Sequence, residues 1–150
     1  MIALRTTLAA SLALAATLAH ADDRYALAPA YVQECGACHT PYPPALLPAE
    51  SWQRVMAGLA KHYGTDASLD AAAQKSLSDW LLARAGSGKR ARVAPPDDRI
   101  TRGEWFIRKH REVSKAAWTR PAIKSASNCG ACHPGAAEGD YDEDRVRIPR

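Results

Sequence analysis

Apolar residues recur along most of the chain with the period of an α-helix, and no stretch shows the apolar–polar alternation of a half-buried strand. In "SWQRVMAGLAKHYG", Trp52, Val55, Met56, Leu59 and Tyr63 form one stripe at about 100° per residue, with His62 at its edge beside Val55. The spacing predicts a helix from about Ala49 to Tyr63, stopped by Gly64 in a left-handed conformation. In "SLDAAAQKSLSDWLLARAG", Leu69, Ala73, Leu77, Trp80 and Leu81 mark the buried face of a second helix, with Gly86 just beyond its end. In "TRGEWFIRKHREVSKAAW", Thr101 and Glu104 have capping-box spacing, and Phe106, His110, Val113 and Ala117 recur at i, i+4, i+7 and i+11. Shorter helices are expected from Ala28 to about Cys38 and, after a break at Pro121, leading into Cys129. The fold class is mainly α.

The connectors divide this pattern. Prolines 41, 43, 44 and 48 force an extended turn. Residues 86–97, "GSGKRARVAPPD", read as a linker between units at 22–85 and 98–150, and a polar tail follows from Gly135. Residues 1–21 stand apart. Arg5, an apolar run from about Leu8 to Leu18 and the small-residue pattern Ala19-His20-Ala21 form a secretory signal, with the cut expected after Ala21. The run is shorter than the roughly 20 apolar residues of a membrane span, so no transmembrane anchor is expected in the mature chain.

Charge narrows the function classes little. The chain has 20 basic and 16 acidic residues, and the cut would remove only Arg5. No Lys/Arg block is interleaved with stacking aromatics, so nucleic acid is not an expected partner. The basic patch at Arg108–Arg111 and the acidic run "EGDYDED" at 138–144 are read as solvated charge, with docking surfaces as the alternative.

The cysteines carry the chemistry. All four lie in two copies of Cys-Gly-Ala-Cys-His, at Cys35–His39 and Cys129–His133. In an exported chain four cysteines ordinarily suggest two disulfides. A thioredoxin-like site would need a βαβ pattern that is not visible, and a structural zinc site rarely draws its two Cys-x-x-Cys pairs from opposite ends of a chain. None of these readings explains the histidine after each second cysteine. Covalent haem attachment does: two thiols add to the two porphyrin vinyl groups, and the adjacent imidazole becomes the proximal iron ligand. The cofactors expected are therefore two haem c groups, on Cys35 and Cys38 with His39, and on Cys129 and Cys132 with His133.

Five histidines and two methionines are available, and His20 and Met1 leave with the signal. The spare ligands are His62, His110 and Met56. His62 lies 23 residues after His39, and His110 lies 23 before His133. Both histidines are expected as distal ligands, His39 with His62 and His110 with His133, a crossed arrangement being the alternative. Met56 competes at the first iron but is read as core packing. Trp52, Trp80, Trp105 and Trp118 are read as core or haem-packing residues.

These residues resemble the proteobacterial dihaem cytochrome c family. The similar stretches are "LPAESWQRVMAGLAKHYGTDASLD", "RITRGEWFIRKHREV", "NCGACHPGAAEGDYDEDRVRIPR" and the first "CGACH". The resemblance implies a small periplasmic electron carrier with two low-potential bis-His haems and a class I cytochrome c-like N-terminal half, and a monomer is expected. It also implies a membrane b-type cytochrome as electron donor and an oxygen-binding monohaem cytochrome c as acceptor. The rival reading is a haem enzyme or gas-binding protein, peroxidase-like, with one open or displaceable distal position.

Overall fold

The structure is a computed structural model that describes residues 26–150. The expected signal at residues 1–21 lies outside the described residues. Helices and tight turns make up the described chain, whose one β-bridge joins His62 to Thr65. Among the described residues no helix is long and apolar enough to cross a membrane.

The first half is built on three helices. Pro29 begins α1 (Pro29–Gly36), where its missing N–H costs nothing, and Cys35 rides near the end of the helix. Tyr31 faces inward from α1, its ring 5.0 Å from that of Trp80. The proline-rich turn follows, and its Pro44 carbonyl accepts the indole N–H of buried Trp52 at 2.8 Å. α2 (Ala49–Ala57) starts after Pro48, with Glu50 complementing the helix dipole in the first turn. α3 (Ala71–Ala83) is capped by Asp70, whose carboxylate accepts from the Ala72 and Ala73 amides at 3.0 and 2.9 Å. α2 and α3 pack together around Tyr31, Leu47, Trp52, Met56, Leu59, Leu77 and Leu81. Gln74 of α3 donates to the Met56 carbonyl at 2.7 Å, satisfying an acceptor that the end of α2 leaves open.

The helix expected to reach Tyr63 ends instead at Ala57. The Gly58 amide is shared between the carbonyls of Arg54 and Val55, which tightens the backbone into a 3-10 turn at Leu59–Lys61. That turn moves His62 out of phase with the α-helical stripe. Gly64 is left-handed as expected, at φ 100°, and Tyr63 before it is also left-handed, at φ 51°.

Residues 86–97 pack on the first half. The Gly86 amide donates to the Leu47 carbonyl at 2.8 Å, and a Cβ at this position would lie 2.3 Å from the Ala45 carbonyl oxygen and 2.5 Å from the Ala91 Cβ. Ala91 itself is buried. Beyond them Asp98 takes two hydrogen bonds from the Arg54 guanidinium, at 2.9 and 2.6 Å. The Tyr63 hydroxyl lies within 3.0 Å of the Asp97 carbonyl oxygen and 3.2 Å of that of Asp98.

In the second half the expected capping box does not form, and the long stripe is divided. Thr101 sits inside a 3-10 turn (Ile100–Arg102), so extended Gly103 becomes the N-cap of α4 (Glu104–Lys109). α4 stops at His110, and α5 (Lys115–Trp118) restarts under a Ser114 cap. Phe106 and Ala117 are both buried, but from different helices. No helix leads into Cys129. Lys124 is left-handed, Ser125 and Ser127 bond each other, and the Asn128 side chain donates to the Ile123 carbonyl, so local hydrogen bonds replace the helical ones. Cys129–Ala131 forms a 3-10 turn. The tail folds back: the Arg147 amide donates to the Cys132 carbonyl at 2.9 Å, and Arg120 donates to the Pro149 carbonyl at 2.6 Å.

Candidate haem sites

No disulfide joins the four cysteines: Cys35 and Cys38 lie where α1 ends, and Cys129 and Cys132 in and just after the 3-10 turn at 129–131. Burial pushes the Cys35 and Cys129 thiols up to about 11, so neither is a reactive thiolate at neutral pH. Among the described residues no group of three or more His, Cys, Asp and Glu side chains is arranged to cage a metal ion, as a structural zinc site would require.

The four histidines singled out from the sequence come together in two pairs. His39 and His62 have ring centroids 6.1 Å apart with planes 21° from parallel. His110 and His133 have centroids 6.3 Å apart with planes crossed at 75°. Two imidazoles bonded to opposite sides of one metal ion at about 2 Å have centroids about 6 Å apart. The centroid separations of both pairs match that spacing.

The protonation pattern fits as well. His39 Nδ1 lies 2.7 Å from the Thr40 carbonyl oxygen, and His110 Nδ1 lies 2.9 Å from that of Phe106. A carbonyl can only accept, so Nδ1 is the donor in both rings, which leaves Nε2 as the nitrogen available to a metal. Burial, His39 and Arg99 hold His62 below the ordinary histidine value. Burial and His110 hold His133 down, against an opposing pull from Glu143. Both shifts favour the neutral imidazole, which is the ligating form. His133 Nδ1 is buried with no hydrogen-bond partner among the described residues.

Aromatic rings line each pair. Tyr42 stacks on His39 at 4.8 Å and 17°, while Tyr63 meets His62 edge-on at 4.9 Å. Phe106 stacks on His110 at 4.0 Å, Trp118 lies 5.8 Å from it, and Tyr141 is tilted against His133 at 5.2 Å. Burial pushes the Tyr42 phenol up to about 12 and raises that of Tyr141 as well. Tyr42 and Tyr141 were not legible as site residues. Tyr141 is hidden inside the acidic run, and only the flanking Pro41 and Pro43 distinguish Tyr42. Met56 is packed in the core, as read from its stripe, while Trp105 lies under the Arg90 guanidinium at 5.2 Å. The acidic run and the basic patch meet: Lys109 pairs with Glu143, and Asp140 pairs with Arg145 within the tail.

Known proteins resemble the chain over most of its length. A family model described as dihaem cytochrome c matches residues 31–141. A diheme cytochrome type c from Shewanella baltica OS155 is 37% identical, covering 81% of this chain and 92% of its own, with a TM-score of 0.71. A diheme cytochrome c from Rhodobacter sphaeroides is 43% identical, covering 76% of this chain and 96% of its own, with a TM-score of 0.68. No curated protein sequence matches.

Proposed function

The chain belongs to the dihaem cytochrome c family, and on that premise we propose that it is an exported carrier of single electrons with both haem irons closed by two histidines. It is a haem-binding cytochrome whose cofactors are two haem c groups. In the proposed arrangement Cys35 and Cys38 hold one haem with His39 and His62 as axial ligands. Cys129 and Cys132 hold the other with His110 and His133. The observation that carries this reading is the two imidazole pairs at 6.1 and 6.3 Å.

The haem supplies a one-electron couple, and the polypeptide supplies ligands, spacing and shielding. Two imidazoles per iron leave no position for oxygen, peroxide or nitrite, which favours a carrier over a catalyst. Bis-His ligation and exposure of the attachment loops, where Cys38 is exposed, both favour a low potential. We further propose the periplasm as its compartment, a membrane b-type cytochrome as donor and an oxygen-binding monohaem cytochrome c as acceptor.

The test is an absorption and EPR spectrum of the ferric protein with both haems attached. Two low-spin signals without a high-spin component are expected. A stoichiometric high-spin, five-coordinate signal would overturn the carrier and favour the peroxidase-like reading.

A further inference from the structure

Tyr42 belongs to neither attachment motif, yet it touches both sites. Its ring lies flat on His39, at 4.8 Å and 17°. Its hydroxyl donates to the Ser127 carbonyl at 2.8 Å, two residues before Cys129, spanning most of the chain. The same Ser127 carbonyl lies 3.7 Å from the Cys129 sulfur. The two attachment loops also approach each other directly, since a Cβ on Gly130 would sit 3.7 Å from the Thr40 hydroxyl oxygen.

The backbone that presents Tyr42 is stiff. It lies between Pro41 and Pro43, and a residue before proline is held to extended conformations. The Tyr31 hydroxyl, reaching out from the core, donates to the Tyr42 carbonyl at 2.7 Å. The ring, the hydroxyl and the backbone of Tyr42 are thus each fixed by a different partner. At the second site the stacked ring, Phe106, lies on the spare histidine His110 of its own helix end, and the motif histidine His133 meets Tyr141 only at a tilt of 53°.

We propose that Tyr42 is a positioning residue shared by the two haem sites: its ring sets the plane of the His39 imidazole, and its hydroxyl ties that plane to the loop carrying Cys129. The inference rests on His39 and His62 being axial ligands of one iron. The angle between two axial imidazole planes governs the splitting of the iron d orbitals. Near-parallel rings give a rhombic low-spin EPR signal, and crossed rings give a highly anisotropic one. Tyr42 therefore holds the first haem in the near-parallel class.

The experiment compares the ferric dihaem protein with Tyr42→Leu and Tyr42→Phe. The two signals are assigned with His110→Ala, which removes the low-spin signal of the second haem. Tyr42→Leu is expected to shift the signal and the potential of the first haem only, and Tyr42→Phe, which keeps the ring, is expected to restore the signal. Amide exchange at residues 125–129 is expected to quicken about fivefold in Tyr42→Phe, where the hydrogen bond to Ser127 is lost. Unchanged signals in Tyr42→Leu overturn the inference alone, as does unchanged exchange in Tyr42→Phe, which remains measurable if Tyr42→Leu fails to fold. A high-spin component in the unaltered protein takes down the bis-His reading and the inference with it.

Discussion

The two imidazole pairs have nearly the same separation and opposite construction. The first pair stands on a packed helical core with its rings close to parallel; the second stands among turns with its rings crossed. In each pair one ring is anchored through Nδ1 to a backbone carbonyl, but the anchored ring differs in role. It is the motif histidine, His39, at the first site and the spare histidine, His110, at the second. A carbonyl that accepts from a ligand's far nitrogen raises the basicity of that ligand and fixes its orientation. The comparison teaches that the proposed ligand count makes the sites equal on paper, whereas second contacts make them chemically distinct.

Removing a spare histidine breaks the comparison most severely. His62→Ala and His110→Ala are each expected to convert one low-spin haem to high-spin and open that haem alone to carbon monoxide. Titration with the gas, followed by absorption, checks this. A variant that stays fully six-coordinate with unchanged potentials removes that histidine from the ligand set. Of the two spare histidines His62 is the more displaceable in the unaltered reduced protein, because among the described residues its ring has no hydrogen bond, while the His110 ring bonds Phe106; His133 also lacks a partner but sits directly beside the attachment cysteine Cys132. Slow carbon monoxide binding is thus expected first at the haem on Cys35 and Cys38.

A smaller effect sharpens the comparison without breaking it. Each pair has one anchored ring, but the unanchored ring of the second pair has its Nδ1 buried without a partner, at His133, so the second haem is expected to have the weaker donor set and the first haem the lower potential. A hydrogen bond of about 1 kcal/mol corresponds to roughly 40 mV in a one-electron couple, which sets the scale of the separation. An EPR-monitored redox titration should find the highly anisotropic signal of the crossed pair disappearing first on reduction. The reverse order would show that solvent exposure outweighs these contacts.

The smallest effect concerns the join between the halves. Hydrogen bonding to Arg54 holds the Asp98 carboxyl below the usual carboxylate range. A carboxyl lowered in the folded state adds stability above its unfolded pKa, and that stability is lost as pH falls through the folded value. Asp98→Asn should therefore be less stable at neutral pH but flatter in its acid unfolding profile. Arg54 is more than half exposed, so solvent screening keeps the loss small. Thermal unfolding at neutral and acidic pH checks both signs.

The attachment motifs were legible because haem attachment demands fixed residue types at fixed spacing, and counting the remaining histidines singled out the two rings that the fold places beside them. α3 was legible because its stripe is uninterrupted and Asp70 caps it. The stripes through His62 and His110 were only partly legible. Periodicity reports which residues are apolar, whereas Gly58 and Gly103 decide where the backbone tightens or restarts. Both spare histidines lie where a helical turn ends, and no regular repeat reaches such a position. Tyr42 escaped for another reason: its contacts are with residues remote in sequence, to which local pattern is blind.

The close approach at Gly86 bears on how the molecule could be divided. By composition, 86–97 invites a cut that would separate one haem from the other as independent modules. Yet the Gly86 amide closes on Leu47, Ala91 is buried, and Asp98 grips Arg54, so this stretch is the outer wall of the first half. A single-haem miniature ended at residue 85 would strip that wall away. One carried on through Arg99 would keep it, together with the guanidinium that lies 4.2 Å from the centre of the Tyr63 ring beside His62.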